Sequence, residues 1–169
     1  MKDTNVSTKK NEEPVFYLKW ATDRKACFGA VTSFQDEFGK SAPMKDVISW
    51  LHRIEKFDWE AWLLGQDETE TVKKFVECGA NIHTCDDCAL LWAAVNGHLE
   101  TIKFLVSQGA NIHTRDDIAL CYAADGGHLE IVKFLVSKGA NIYARNDQVF
   151  RWAAHNHHAE VVNFLRNQG

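Results

Sequence analysis

The sequence predicts an all-α protein, a solenoid of stacked helix pairs preceded by an N-terminal helical capping region. Three observations carry that prediction. His98 returns 30 residues on as His128, and Val72 returns as Ile102 and then Val132. Apolar residues inside each copy recur at spacings of three and four, the period of a helix with one buried stripe. A glycine (Gly79, Gly109, Gly139) stands just past each apolar run, where a helix closes easily in the left-handed conformation. A fixed period in the range of about 20 to 50 residues marks a repeat array whose units bury their apolar faces only against each other.

The chain has 169 residues, 46% hydrophobic and 25% charged, with net charge -4. These are ordinary values for a globular chain. An array adds core layer by layer, so this length suffices if both ends are capped. No membrane-length apolar run is present, and the opening "MKDTNVSTKKNEE" lacks the apolar stretch of a signal peptide. Five cysteines, Cys27, Cys78, Cys85, Cys88 and Cys121, are odd in number and scattered. That usage suits a reducing, cytoplasmic setting better than a disulfide framework.

Taken in order, residues 1–13 are expected to form a disordered tail. Residues 14–57 form the capping region. "VFYLKWA" after Pro14 reads as a short helix or an extended arm, with the helix preferred. "TDRKACFGAVTSFQDEFG" spaces Ala26, Cys27, Ala30, Val31, Phe34 and Phe38 as a helix stopped by Gly39. "SAPMKDVISWLHRI" repeats the pattern with Met44, Val47, Ile48, Trp50, Leu51 and Ile54 after a Ser41 cap. The array occupies residues 58–169 and opens with a degraded helix, because Trp62 lies 30 residues before Trp92.

Each repeat reads as a helix pair. In "HLETIKFLVSQGAN" the stripe is Leu99, Ile102, Leu105 and Val106, ended by Gly109. Asp87, Asp117 and Asp147 then stand in front of a second helix and are expected to cap it. The paired alanines 93–94, 123–124 and 153–154 allow close helix approach. At the far end Arg166 replaces the recurrent valine of a stacking slot, which predicts a closing cap.

The rhythm "GHLEIVKFLVSKGANI", with paired alanines before "GH", resembles the ankyrin repeat over roughly residues 59 to 169. The period here is 30 rather than the family's usual 33 or so, and "CALL", "IALC" and "QVFR" stand where that family carries T-P-L-H. The three missing residues fall where ankyrin proteins project a β-hairpin finger. The resemblance therefore implies shallower fingers, retracted by roughly 5 Å at about 3.3 Å per extended residue. Shortened repeats of this wording are similar to those in the ankyrin families of giant DNA viruses, which implies a viral protein acting in a host cell.

No motif announces catalysis. There is no phosphate-cradling glycine loop, no nucleophile elbow and no carboxylate pair beyond the repeated aspartates. "CDDC" has the spacing of half a zinc site, but no second half follows and later copies carry Arg115/Ile118 and Arg145/Gln148 there. "HNHH" places His158 at the recurrent position of His98 and His128, which reads as structural. No metal and no cofactor is expected. Net charge argues against a nucleic-acid partner, although Arg115, Arg145 and Arg151 form a local basic group.

The expected function is recognition of another protein through the concave face, with the chain monomeric by itself. If Leu90 and Ala94 point inward, residues two positions away point roughly opposite, because two steps of 100° make 200°. That argument selects Cys88, Trp92, Val95 and Asn96, then Ile118, Tyr122, Asp125 and Gly126, then Gln148, Trp152, His155 and Asn156. Beside them stand Leu91, Cys121 and Arg151, with Cys85, Arg115 and Arg145 on the fingers. These positions differ most between copies, so packing does not dictate them. The alternative is that the N-terminal helical region is an effector or inhibitor domain which the array positions.

Overall fold

In the computed structural model the described residues are 15–17, 41–53 and 69–168. The elements are β1 (Val15–Tyr17), β2 (Ser41–Pro43), α1 (Met44–Arg53), α2 (Thr69–Glu77), α3 (Thr84–Asn96), α4 (Leu99–Ser107), α5 (Thr114–Asp125), α6 (Leu129–Ser137), α7 (Ala144–His155) and α8 (Ala159–Arg166). The described residues are mostly helical, as the periodicity requires. The expected tail, the helix between Thr22 and Gly39, and the degraded helix around Trp62 lie outside the described residues.

Two readings of the N-terminal region are corrected. Val15–Tyr17 is a strand rather than a helix, paired antiparallel with β2 in the register Val15 to Pro43, Phe16 to Ala42 and Tyr17 to Ser41. Ser41 therefore sits in a strand and does not cap α1, which begins directly after Pro43. Proline cannot continue a ladder but suits the threshold of a helix. The apolar stripe of α1 is as expected: Val47, Ile48 and Leu51 are buried, and the helix packs against α2.

From α2 onward the helices form two rows. The outer row is α2, α4, α6 and α8, each touching the next, and the inner row is α3, α5 and α7. Each inner helix also packs on the outer helix that follows it. Phe75, Leu90, Ile102, Leu105, Leu120, Ile131 and Leu135 fill the space between rows with almost no exposure. At about 1.5–3 kcal/mol for each fully buried large aliphatic side chain, this layer is the main stabilising contribution.

The outer helices end where the glycines predicted. At Gly109, with φ +99°, the Ala110 N–H reaches the Leu105 carbonyl and the Gly109 N–H reaches the Val106 carbonyl. This is the double bond pattern of a left-handed C-terminal cap.

The connection to the inner helix departs from expectation. Among the described residues of the array no hairpin finger projects. Instead Cys85–Asp87, Arg115–Asp117 and Arg145–Asp147 form a left-handed turn, with φ between 50° and 59°, before right-handed helix resumes. Asp and Asn tolerate this region better than other non-glycine residues, which explains "DD", "DD" and "ND" at the last two positions. The aspartates therefore do not cap in the expected way, since an N-cap needs extended backbone.

Candidate functional site

The left-handed turns are tied down from both sides. The Asn111 carboxamide oxygen accepts the His113 N–H at 3.0 Å, and Asn81 and Asn141 do the same for His83 and Tyr143. His113 Nδ1 lies 2.8 Å from the buried carboxylate of Asp117, and His83 pairs with Asp87 identically. The other Asp117 oxygen accepts the Asn141 N–H of the following repeat at 3.3 Å. Thr114 donates to the Asp86 carbonyl at 3.0 Å, and the Arg145 N–H donates to the Asp116 carboxylate at 2.9 Å. Each turn thus holds its successor.

The arginines on these turns form a ladder. Arg115 donates to the Cys85 carbonyl at 3.0 Å, and Arg145 donates to the Arg115 carbonyl at 3.0 Å. Arg115 also stands 3.6 Å from the Asp86 carboxylate, and Arg145 bonds Gln148 at 2.9 Å. Both guanidiniums are exposed and at the same time join adjacent repeats. Nothing in the sequence announced this role, because a repeat-to-repeat bond has no local pattern.

At the opposite end of the inner helices the recurrent histidines join units. His128 Nε2 lies 3.2 Å from the Val95 carbonyl, and His158 Nε2 lies 2.8 Å from the Asp125 carbonyl. Gly97 and Gly127 are required there: both have positive φ, and an added Cβ would come within 3 Å of the next histidine ring.

The predicted stripe divides in three. Trp92, Val95, Asn96, Arg151, His155 and Asn156 are exposed, with Trp92 at 40% and Val95 at 41%. Cys88, Tyr122, Asp125, Gln148 and Trp152 are half-buried. Tyr122 and Trp152 stack across adjacent helices with ring centres 5.7 Å apart. Leu91, Ile118 and Cys121 are buried, which corrects their placement on the open face. Two steps of 100° oppose a single buried side, whereas α5 is flanked by α3 and α7 with α6 behind it, and α3 packs on both α5 and α4. Some polar members also have structural partners. Asn156 donates to the Asp125 carbonyl and carboxylate, and Asn96 donates to the Trp92 carbonyl.

Burial sets the thiols apart. It is the main cause pushing Cys121 up to about 11 and raising Cys88 above the ordinary thiol range.

Stacked helix pairs with one open row define a helical-repeat protein. A family model described as ankyrin repeats (3 copies) matches residues 61–146 and 119–169, well over half of the chain, and the chain belongs to the ankyrin-repeat family. Ankyrin repeats are in general protein–protein interaction modules and are typically non-catalytic. No curated protein matches the chain. No described helix is long and apolar enough to cross a membrane.

Proposed function

We propose that this chain is a non-catalytic recognition module that binds a partner protein across the open face of α3, α5 and α7. One observation supports this most. Among the described residues three large hydrophobic side chains are exposed, and two of them, Trp92 and Val95, lie on that face. The Tyr122–Trp152 stack continues it, and Arg151 and His155 border it. Aromatic and arginine side chains are those enriched at interface hot spots. A partner with an apolar group opposite Trp92 and acidic groups opposite Arg151 fits this arrangement.

The N-terminal region is read as a cap, because Val47, Ile48 and Leu51 of α1 are buried where it meets α2. The wording of the shortened repeats makes a host-cell protein the first partner class to test. The experiment is affinity capture followed by titration of the captured protein with Trp92→Ala and Arg151→Glu. Lys103→Glu and Lys133→Glu on the outer row serve as controls. Each stripe variant is expected to bind about tenfold more weakly or worse, a loss of about 1.4 kcal/mol or more. Full binding by the stripe variants with loss on the lysine controls would move the interface to the outer helices.

A further inference from the structure

Cys85 opens the first left-handed turn, and Cys88 follows its last residue, Asp87. In the third copy the same positions are Arg145 and Gln148, whose side chains meet at 2.9 Å, so this backbone brings the two positions together. In the first copy the Cys88 thiol donates to the Cys85 carbonyl at 2.7 Å. Burial pushes the Cys88 thiol up, Arg115 pulls it down, and the neighbouring Cys85 adds to the rise. Both thiols are free and half-buried. One helical turn of either hand separates Cα atoms at i and i+3 by about 5 Å, within the span a disulfide bridges. Among the described residues no third His, Cys, Asp or Glu joins them in a metal-sized group.

We propose that Cys85 and Cys88 are a redox-active dithiol that a small-molecule disulfide oxidises to an intramolecular disulfide across the turn. The Cys85 thiolate attacks one sulfur of the oxidant, whose S–S bond breaks, and one oxidant thiolate leaves and takes up a proton. Cys85 then carries a mixed disulfide. Cys88 loses its proton to water and attacks the Cys85 sulfur, which breaks the mixed disulfide and releases the second oxidant thiol. In total two electrons and two protons pass to the oxidant, which becomes two thiols. Cys85 attacks first because the Cys88 proton is committed to the Cys85 carbonyl. That carbonyl also accepts from Arg115, so the closed disulfide leaves the inter-repeat bond in place. Later copies carry no thiol pair, and the site belongs to the first turn alone.

The test treats the full chain with glutathione disulfide, quenches with acid, alkylates and maps the peptide between Lys74 and Lys103, which contains Cys78, Cys85 and Cys88. The expected result is loss of alkylation at Cys85 and Cys88, with no glutathione retained and both thiols restored by dithiothreitol. Cys88→Ser should instead retain glutathione on Cys85. The wild-type result decides the matter if that variant fails to fold. Continued alkylation of both thiols, retained glutathione on the wild type, or a disulfide to Cys78 would each overturn the proposal.

Discussion

The two middle helix pairs, α3–α4 and α5–α6, and the last pair, α7–α8, are written in nearly the same words, yet matching residues have different surroundings. Ala94 and Ala124 are fully buried, and Ala154 is exposed. Asp87 and Asp117 are buried and paired with histidines, while Asp147 is exposed and follows Tyr143. Leu91 and Cys121 are buried, and Arg151 is exposed. The difference teaches that a repeat residue takes its role from the neighbouring unit as much as from its own, as a nearest-neighbour array requires. Asp117 shows this directly, because its second oxygen holds the following turn.

The comparison breaks first in the core. Leu105→Ala, fully buried between three outer helices and their inner partners, is expected to cost about 2–5 kcal/mol by thermal or denaturant unfolding. Leu165→Ala in α8 should cost less, since α8 packs on fewer neighbours. Equal losses would mean that the middle and the last helix pairs are equally supported. The turns come next. Asp117→Ala removes two charge-assisted bonds and is expected to cost about 1–3 kcal/mol, whereas Asp147→Ala should cost about 1 kcal/mol or less, from placing alanine at φ +59°.

A gain is expected at His157. It takes φ +61° where earlier copies carry Gly97 and Gly127, so His157→Gly should raise stability by about 1 kcal/mol in the same assay. No gain would show that contacts of the histidine offset its backbone strain. The smallest effect is in pH. Burial raises Cys121 from the ordinary thiol value of 9.0 to about 11. The raised value means the folded chain favours the neutral thiol, so this contribution is fully present below pH 9 and is lost as pH rises through about 11. Native-state alkylation should accordingly spare Cys121 well after Cys85 has reacted.

Much of the fold was legible because its signals are local. The stripe Leu99, Ile102, Leu105 and the stop at Gly109 each specify structure from a few adjacent residues. What escaped was long-range or ambiguous. The pairing of Val15–Tyr17 with residues more than twenty positions away leaves no mark on a three-residue strand. Aspartate suits both an N-cap and a left-handed residue, so "DD" alone did not separate the two. For the candidate site, the exposure of Trp92, Val95 and His155 followed from helical phase. The burial of Leu91, Ile118 and Cys121 did not, because phase measured from one buried stripe ignores the inner helix packed alongside. Arg115 and Arg145, expected on the fingers, instead bond the preceding repeat, which no local pattern marks.

On the proposed function, the positions held between copies pack the array while the drifting ones meet a protein. Amide hydrogen exchange of the full chain, measured with and without the captured partner, tests it most directly. Exchange is expected to slow in the inner helices, within 88–96, 118–126 and 148–156, with α4 and α6 unchanged. Protection concentrated in α4 and α6, with the inner helices exchanging as in the free chain, would contradict it.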